Sequence, residues 1–182
     1  MFIASKLKKE NICEYLLYMW QVEDLLRAFG LDMDAIDERI VSTYPAEPQE
    51  RKRLHEWYES LVEMMRLENV QNKGHLQLNK NIIIELNEFH GLLMKSGKEP
   101  AYNAKFYHIL PLLAQLRKQQ NDLNLSDIEV SFNFQYGFML LKMKKADITP
   151  QTAEAQIEIS KFMVLLNRYY QLYKTGGLSL EE

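Results

Sequence analysis

The sequence contains a single cysteine, Cys13, among 182 residues. One thiol excludes an intramolecular disulfide framework and any zinc or iron–sulfur site built from several cysteines. This scarcity is typical of a reducing compartment, and we expect a cytoplasmic location. Cys13 lies in the first turn of a predicted helix, where the helix dipole can lower a thiol pKa; alternatively, it packs as a small boundary residue. No Cys/His signature supports a nucleophile.

Glycine and proline are also scarce, at seven and five residues. A chain with few turn residues, 47% hydrophobic and 26% charged residues has the composition of a helical globular protein. Its length suits one domain with a substantial core. We therefore predict a single helical domain over 1–182, in which 175–182 form a flexible C-terminal tail.

Long apolar runs and an excess of one charge are missing as well. The longest apolar run, "YLLYMW" at 15–20, is far shorter than a bilayer span, and the first ten residues have too few apolar side chains for a signal peptide. The net charge is -3, and the basic clusters at 51–53, 117–118 and 142–145 suit solvated helices and helix ends. We expect neither a membrane nor a nucleic-acid partner.

Apolar residues recur at helical spacing in most of the chain. On the first predicted helix, which Asn11 and Glu14 cap and Gly30 ends, the stripe is Tyr15, Tyr18, Val22, Leu25 and Phe29, widened by Leu16, Met19 and Leu26. Further helices are predicted at 34–43, from Pro48 to the turn at 71–74, and at 76–95, 100–120, 127–145 and 150–174. Short connections between them indicate an all-α, antiparallel bundle of six or seven helices.

The segment "DIEVSFNFQYGF" at 127–138 alternates polar and apolar residues, which normally indicates a strand. Four observations favour a helix instead. Ser126 and Glu129 are spaced as a capping box, the alternation is too long for a typical strand, strong helix formers follow, and no second strand-like segment exists to pair with. Read as a helix, the segment is apolar on two faces, which predicts burial between neighbours and possible contact with a second subunit.

The C-terminal third contains "IEV", "YGFMLLKMKK", "ITPQTAEA" and a closing "YY…G" between residues 126 and 178. These pieces resemble an uncharacterised family of small proteins from Bacteroidetes, known only as a domain of unknown function. The opening "ASKLKKENICEYLLYMWQVEDLLRA" is similar to the start of that family, so the resemblance covers nearly the whole chain. It implies a source and a helical fold, and no activity or binding residues.

Candidate chemistry is sparse. His55, Glu59 and Glu63 share one helical face, but this face also carries Lys52 and Arg66 and is predicted to be a solvated charged surface. The chain has no Glu-x-x-His pair of the kind that holds two irons in helical bundles, and the closest match, Asn87-Glu88-Phe89-His90, begins with a poor ligand. His90 is predicted to be a hydrogen-bonded boundary histidine.

Pro111 interrupts a predicted helix beside His108. Proline removes one backbone donor, so we expect a kink or break there, which either separates two helices or lines a ligand pocket. No P-loop, GxGxxG, GxSxG or HExxH motif is present.

Two functional hypotheses follow. The first is a non-enzymatic cytoplasmic helical protein that acts through self-association as a homodimer or through contact with another protein, with no catalytic, cofactor or metal residue assigned. The alternative is a small-molecule-binding or metal-dependent helical enzyme whose pocket lies near Pro111. Convergence of His90, His108 and a carboxylate in one cavity would favour the second.

Overall fold

The computed structural model describes residues 1–119 and 124–180. Over these residues the secondary structure is helical and contains no strand, which confirms the all-α class. The helices are α1 (Phe2–Glu10), α2 (Ile12–Ala28), α3 (Met33–Ile36), α4 (Pro48–Leu67), α5 (Gln77–Ser96), α6 (Pro100–Gln119), α7 (Asp127–Met143) and α8 (Pro150–Lys174), with a π-helical turn at Asp37–Val41 after α3. No helix in the described part is long and apolar enough to cross a membrane.

Side-chain caps at helix starts agree with the sequence. Asn11 accepts a hydrogen bond from the Glu14 backbone N–H at 3.1 Å, and Ser126 accepts one from the Glu129 backbone N–H at 3.1 Å. Thr149 caps α8 in the same way, at 3.2 Å from the Thr152 backbone nitrogen. Each cap satisfies an N–H that the first helical turn leaves without a partner.

The backbone contacts divide the chain into two compact units, Met1–Ile82 and Ile83–Glu182, with the boundary inside α5. In the first unit α1 packs against α2, and α4 packs against α3 and the π-helical turn. Arg66 on α4 donates a hydrogen bond at 2.9 Å to the Leu31 carbonyl, which follows α2. The single domain with a flexible tail at 175–182 stays a prediction.

Two expectations for the first unit were wrong in detail. The predicted stripe of α2 is buried only in part: Tyr15 and Val22 lie in the core together with the predicted flanking residues Leu16, Met19 and Leu26, whereas Leu25 is 37% exposed and Tyr18 and Phe29 are half-buried. Helix α1 was not predicted at all. It has no side-chain cap and only Ala4 is buried, so its packing against α2, not a local signal, defines it.

In the second unit α6, α7 and α8 pack against one another. Helices α6 and α8 run antiparallel, because the Tyr102 ring lies 5.8 Å from that of Tyr169 and the Phe106 ring lies 5.8 Å from that of Phe162. The alternating segment is helix α7, as predicted. Its first half is buried on several sides, including Ile128, Val130 and Phe132, and its end is exposed from Leu141 onward.

Pro111 does not break its helix; of the expected kink or break, the break is wrong and the kink stays a prediction. Helix α6 runs without interruption from Pro100 to Gln119, with Pro111 on its exposed side. The proline ring points into solvent, and Tyr107, whose carbonyl loses the bond, is 61% exposed. Water can therefore satisfy that carbonyl, and the helix continues.

Candidate functional site

The polar residues singled out from the sequence lie in separate places. His55 was expected on a solvated surface, and it has two acidic neighbours there. Its Nδ1 lies 2.7 Å from a carboxylate oxygen of Asp37 in the π-helical turn, and its Nε2 lies 4.0 Å from a carboxylate oxygen of Glu59. The hydrogen bond to Asp37 raises the His55 pKa. Glu63 is exposed. Across the described part of the chain, no three His, Cys, Asp or Glu residues are placed to hold a metal ion.

His90 is a hydrogen-bonded boundary histidine, as predicted. Its Nδ1 lies 2.7 Å from the hydroxyl of Tyr102, which is fully buried. The rings of Phe106 and Phe162 meet the imidazole edge-on, with centroids at 4.5 Å and 6.0 Å. Burial among these rings lowers the His90 pKa, because it disfavours the charged imidazolium.

His108 lies elsewhere, beside a carboxylate that the sequence analysis did not single out. Its Nε2 is 3.2 Å from Glu158 on α8. Glu158 also binds Lys105 on α6 and Lys161 one turn further along α8, the latter at 2.8 Å. The hydrogen bonds from Lys105 and then Lys161 lower the Glu158 pKa to about 2. Three cationic or titratable side chains therefore surround one ionised carboxylate at the surface.

Two shallow grooves flank this cluster. One, of about 210 Å³, is lined by His108 and Ile109 of α6 and by Glu154 and Glu158 of α8. Neither Pro111 nor His90 is among its lining residues, and the ligand pocket near Pro111 stays a prediction. The convergence of His90, His108 and a carboxylate that would favour the enzyme hypothesis is therefore absent from this groove: His108 meets Glu158, and His90 lies elsewhere.

The other groove is larger and apolar. Its volume is about 590 Å³, and its lining includes Lys105, Ile157, Lys161 and Val164. Ile157 is 50% exposed and Val164 is 66% exposed. Here the term "α6–α8 face" denotes Lys105 of α6 together with Ile157, Glu158, Lys161 and Val164 of α8, which are the exposed apolar side chains and the ion pairs between them.

A buried amide holds α8 in place behind this face. Gln135 of α7 is 8% exposed and donates through Nε2 to the Gln156 carbonyl and to the Ser160 hydroxyl, both at 3.1 Å. The Gln156 side chain returns a hydrogen bond to the Gln135 side-chain oxygen at 3.3 Å. Because buried amides must be satisfied, this reciprocal pairing fixes the rotation of α8 and so determines which of its residues face solvent.

A second polar cluster lies inside the first unit. Glu23 is 1% exposed; its carboxylate accepts hydrogen bonds from the Leu76 backbone N–H at 2.9 Å and the Asn79 side chain at 2.6 Å, and lies 2.6 Å from His75 Nδ1. The His75 ring stacks on Trp20 with centroids 4.1 Å apart. A negative charge at the first turn of α5 also complements the helix dipole. The cluster joins α2 to the start of α5, and we assign it a structural role.

Cys13 takes the second of its two predicted roles. It is 4% exposed, and burial, followed by the neighbouring charge of Glu14, raises the pKa of its thiol. A helix N-terminus that lowers the pKa is therefore the wrong description, because loss of hydration outweighs the dipole.

The sequence contained a signal for Glu23 and little signal for Glu158. Glu23 falls four residues after Met19 and three before Leu26, which is a charged residue at a core position. Glu158 stands on a solvent-facing turn like many surface glutamates. Only the approach of Lys105 from another helix, 53 positions away in the chain, distinguishes it.

Comparison with known proteins gives one family and no individual relative. Neither the curated proteins nor the solved structures include a match to this chain. The sequence model of a family described as a domain of unknown function, DUF4924, matches residues 1–177. The match confirms the resemblance to a family of unknown function that the sequence pieces indicated, and the chain belongs to the DUF4924 family.

Proposed function

We propose that the protein is a non-enzymatic helical module of the bacterial cytoplasm that acts by contact with another protein chain, and that the α6–α8 face makes this contact. We also propose a Bacteroidetes source, which the resemblance implied. The observation that carries the proposal is the exposure of Ile157 and Val164 along a groove of about 590 Å³. Exposed apolar side chains around a groove are typical of protein interaction sites.

The ionic cluster supports the same use. Glu158 is already held by Lys105 and Lys161, so the charges in the middle of the face are paired before a partner arrives. Paired charges are less costly to cover than isolated ones, because each retains its partner when water is excluded. The alternation of apolar and charged side chains suits a helical partner with the same alternation.

A second candidate function rests on the smaller groove. There His108 and Glu158 are 3.2 Å apart, and Glu154 lies on the same wall. An imidazole next to carboxylates can bind a small cationic or hydrogen-bonding ligand. We rank this candidate below protein contact because His108 has 66% of its side chain exposed, which leaves the imidazole in water.

Native mass spectrometry of the untagged protein, purified from its source cells, tests both candidates. Val164→Lys places a charge on the α6–α8 face, and the matched control Ile84→Lys does the same at a 51%-exposed position on α5. We expect the wild type and the control to carry the mass of a protein partner and Val164→Lys to lose it.

A complex that survives Val164→Lys and disappears in Ile84→Lys would contradict the α6–α8 face as the site. A retained small molecule that is lost in His108→Ala would instead support the ligand-binding groove. Circular dichroism melts of each variant establish that the substitutions leave the fold intact.

A further inference from the structure

The solvent-facing stripe of α8 has an order that bears on the identity of its partner. Stepping by three and four residues, the exposed positions are Glu154, Ile157, Lys161, Val164 and Arg168. Residues at this spacing share one side of a helix. The other side of α8 is buried, since Ile159, Phe162 and Leu166 there have no exposed surface.

Positions at similar distances before and after Lys161 on this stripe carry matching residues. The apolar residues are matched by apolar residues, and the negative charge is matched by a positive one. Glu154 lies seven residues before Lys161 and Arg168 lies seven residues after it, with opposite charges. The apolar residues Ile157 and Val164 lie four residues before and three residues after the same position. A second copy of the helix laid antiparallel on the first therefore places Glu154 opposite Arg168 and Ile157 next to Val164.

The same alignment fails when the two helices run parallel, because Glu154 then faces Glu154 of the second copy and Arg168 faces Arg168. An antiparallel pair of identical helices has a twofold axis, here at Lys161, and each contact occurs twice. The two Lys161 side chains approach each other at the axis. Each is held at 2.8 Å by Glu158, which lies within one turn of the axis, so the positive charges arrive with carboxylates beside them.

Glu154 and Arg168 cannot satisfy each other within one chain. They are fourteen residues apart on one straight stretch of helix, which is about 21 Å at 1.5 Å per residue. Among the residues that the structure describes, neither has an ion-pair partner, while the neighbouring Lys161 does. The Arg168 guanidinium lies over the Tyr169 ring, 5.9 Å from its centroid, and this contact supplies no counter-charge. Two charges of opposite sign that lack an ion-pair partner, spaced symmetrically about one residue, are complementary to the same two charges on a second copy.

We propose that two copies of this chain associate through α8 in antiparallel orientation, with Glu154 of each copy paired with Arg168 of the other. The apolar contact comes from Ile157 and Val164, and the groove beside them accepts the flank of the second α8. This inference rests on the proposed function, because it identifies the partner of the α6–α8 face as the chain itself.

Reversal of the two charges tests the pairing. We expect the purified wild type to sediment as a dimer, and Glu154→Arg and Arg168→Glu each to weaken dimerisation about tenfold or more, because each puts like charges opposite each other twice. In the double variant the charges are exchanged, so we expect dimerisation to return to within a few-fold of the wild type. Glu63→Arg, at an exposed glutamate of α4, is the control for Glu154→Arg, because it changes the net charge by the same amount away from α8.

Rescue by the double variant is the decisive outcome, since the two positions can meet only between chains. A wild type that stays monomeric at all concentrations would overturn the inference, as would single variants that dimerise normally or a double variant that remains as weak as the single ones.

Failure of this inference can be told apart from failure of the proposed function. A monomeric purified protein, together with a different protein that Val164→Lys releases in native mass spectrometry, retains the α6–α8 face and excludes the second copy. A Val164→Lys variant that releases nothing excludes the face itself.

Discussion

Glu23 and Glu158 both hold several partners, yet they lie in opposite surroundings. Glu23 has 1% of its side chain exposed inside the first unit, where its donors include a backbone N–H, an amide and an imidazole. Glu158 has 24% exposed on the second unit, and its partners are two lysines and a histidine on an open surface. A closed, buried cluster holds helices together, whereas an open one between two grooves remains able to contact another molecule.

The largest expected difference between these clusters is in stability. Glu23→Ala leaves the Leu76 N–H and the Asn79 amide without their acceptor in a buried site, and we expect it to lower the free energy of unfolding by about 3–5 kcal/mol. Glu158→Ala, the matched variant, should change it far less, because water can replace the carboxylate around exposed lysines. Urea denaturation followed by tryptophan fluorescence measures the effect of Glu23→Ala, since Trp20 and Trp57 both lie in the first unit.

Circular dichroism over the same urea range provides the value for Glu158→Ala, because it reports helices of both units. If the two variants lowered stability equally, Glu158 would be a structural residue and the comparison would fail.

His90 and His55 offer a second comparison between a buried and a more exposed polar group, and we expect a smaller effect on stability. Burial lowers the pKa of His90, so the folded state resists protonation and the stability should fall as the pH decreases below about 6.5, by at most about 1.4 kcal/mol per pH unit. The Asp37 hydrogen bond raises the pKa of His55, so its stabilisation is present below about 6.5 and is lost as the pH rises through its folded pKa.

Replacement of each histidine by glutamine isolates these opposite slopes. His90→Gln should flatten the decrease on the acid side, and His55→Gln should remove a loss on the alkaline side. Denaturation curves at pH 5, 6, 7 and 8 measure both. For each variant, the wild-type free energy of unfolding minus that of the variant is plotted against pH, and its slope is the contribution of the replaced histidine. Slopes of the same sign for His90 and His55 would contradict the assigned surroundings.

The sequence predicted local features of the fold well where a cap and a periodic stripe coincide. Thr149 and Pro150 mark the start of α8, and the predicted end at 174 agrees with the structure. The alternating segment was assigned correctly to a helix because the spacing of Ser126 and Glu129 outweighed the strand pattern.

Features that depend on distant parts of the chain could not be predicted in the same way. His55 meets Asp37 from 18 positions away, and Glu23 meets His75 from 52 positions away. Pro111 was expected to kink or break α6, and the helix is not broken, because exposure of its side of the helix leaves room for water. The stripe on α8 was readable in the sequence, and its significance emerged only when the structure showed that this side of α8 is exposed.

Spin labels on α8 test the antiparallel pair most directly. Gln151 and Gln171 each lie ten residues from Lys161, outside the charged pairs, and the buried Cys13 should not react with the labelling reagent. In an antiparallel dimer centred on Lys161, labels at either glutamine position should lie about 30 Å from their counterparts, and labels at Lys161→Cys about 10 Å apart. Equal short distances at all three positions would indicate a parallel pair, and no coupling between labels would show that α8 does not pair with a second copy; either result would contradict the account.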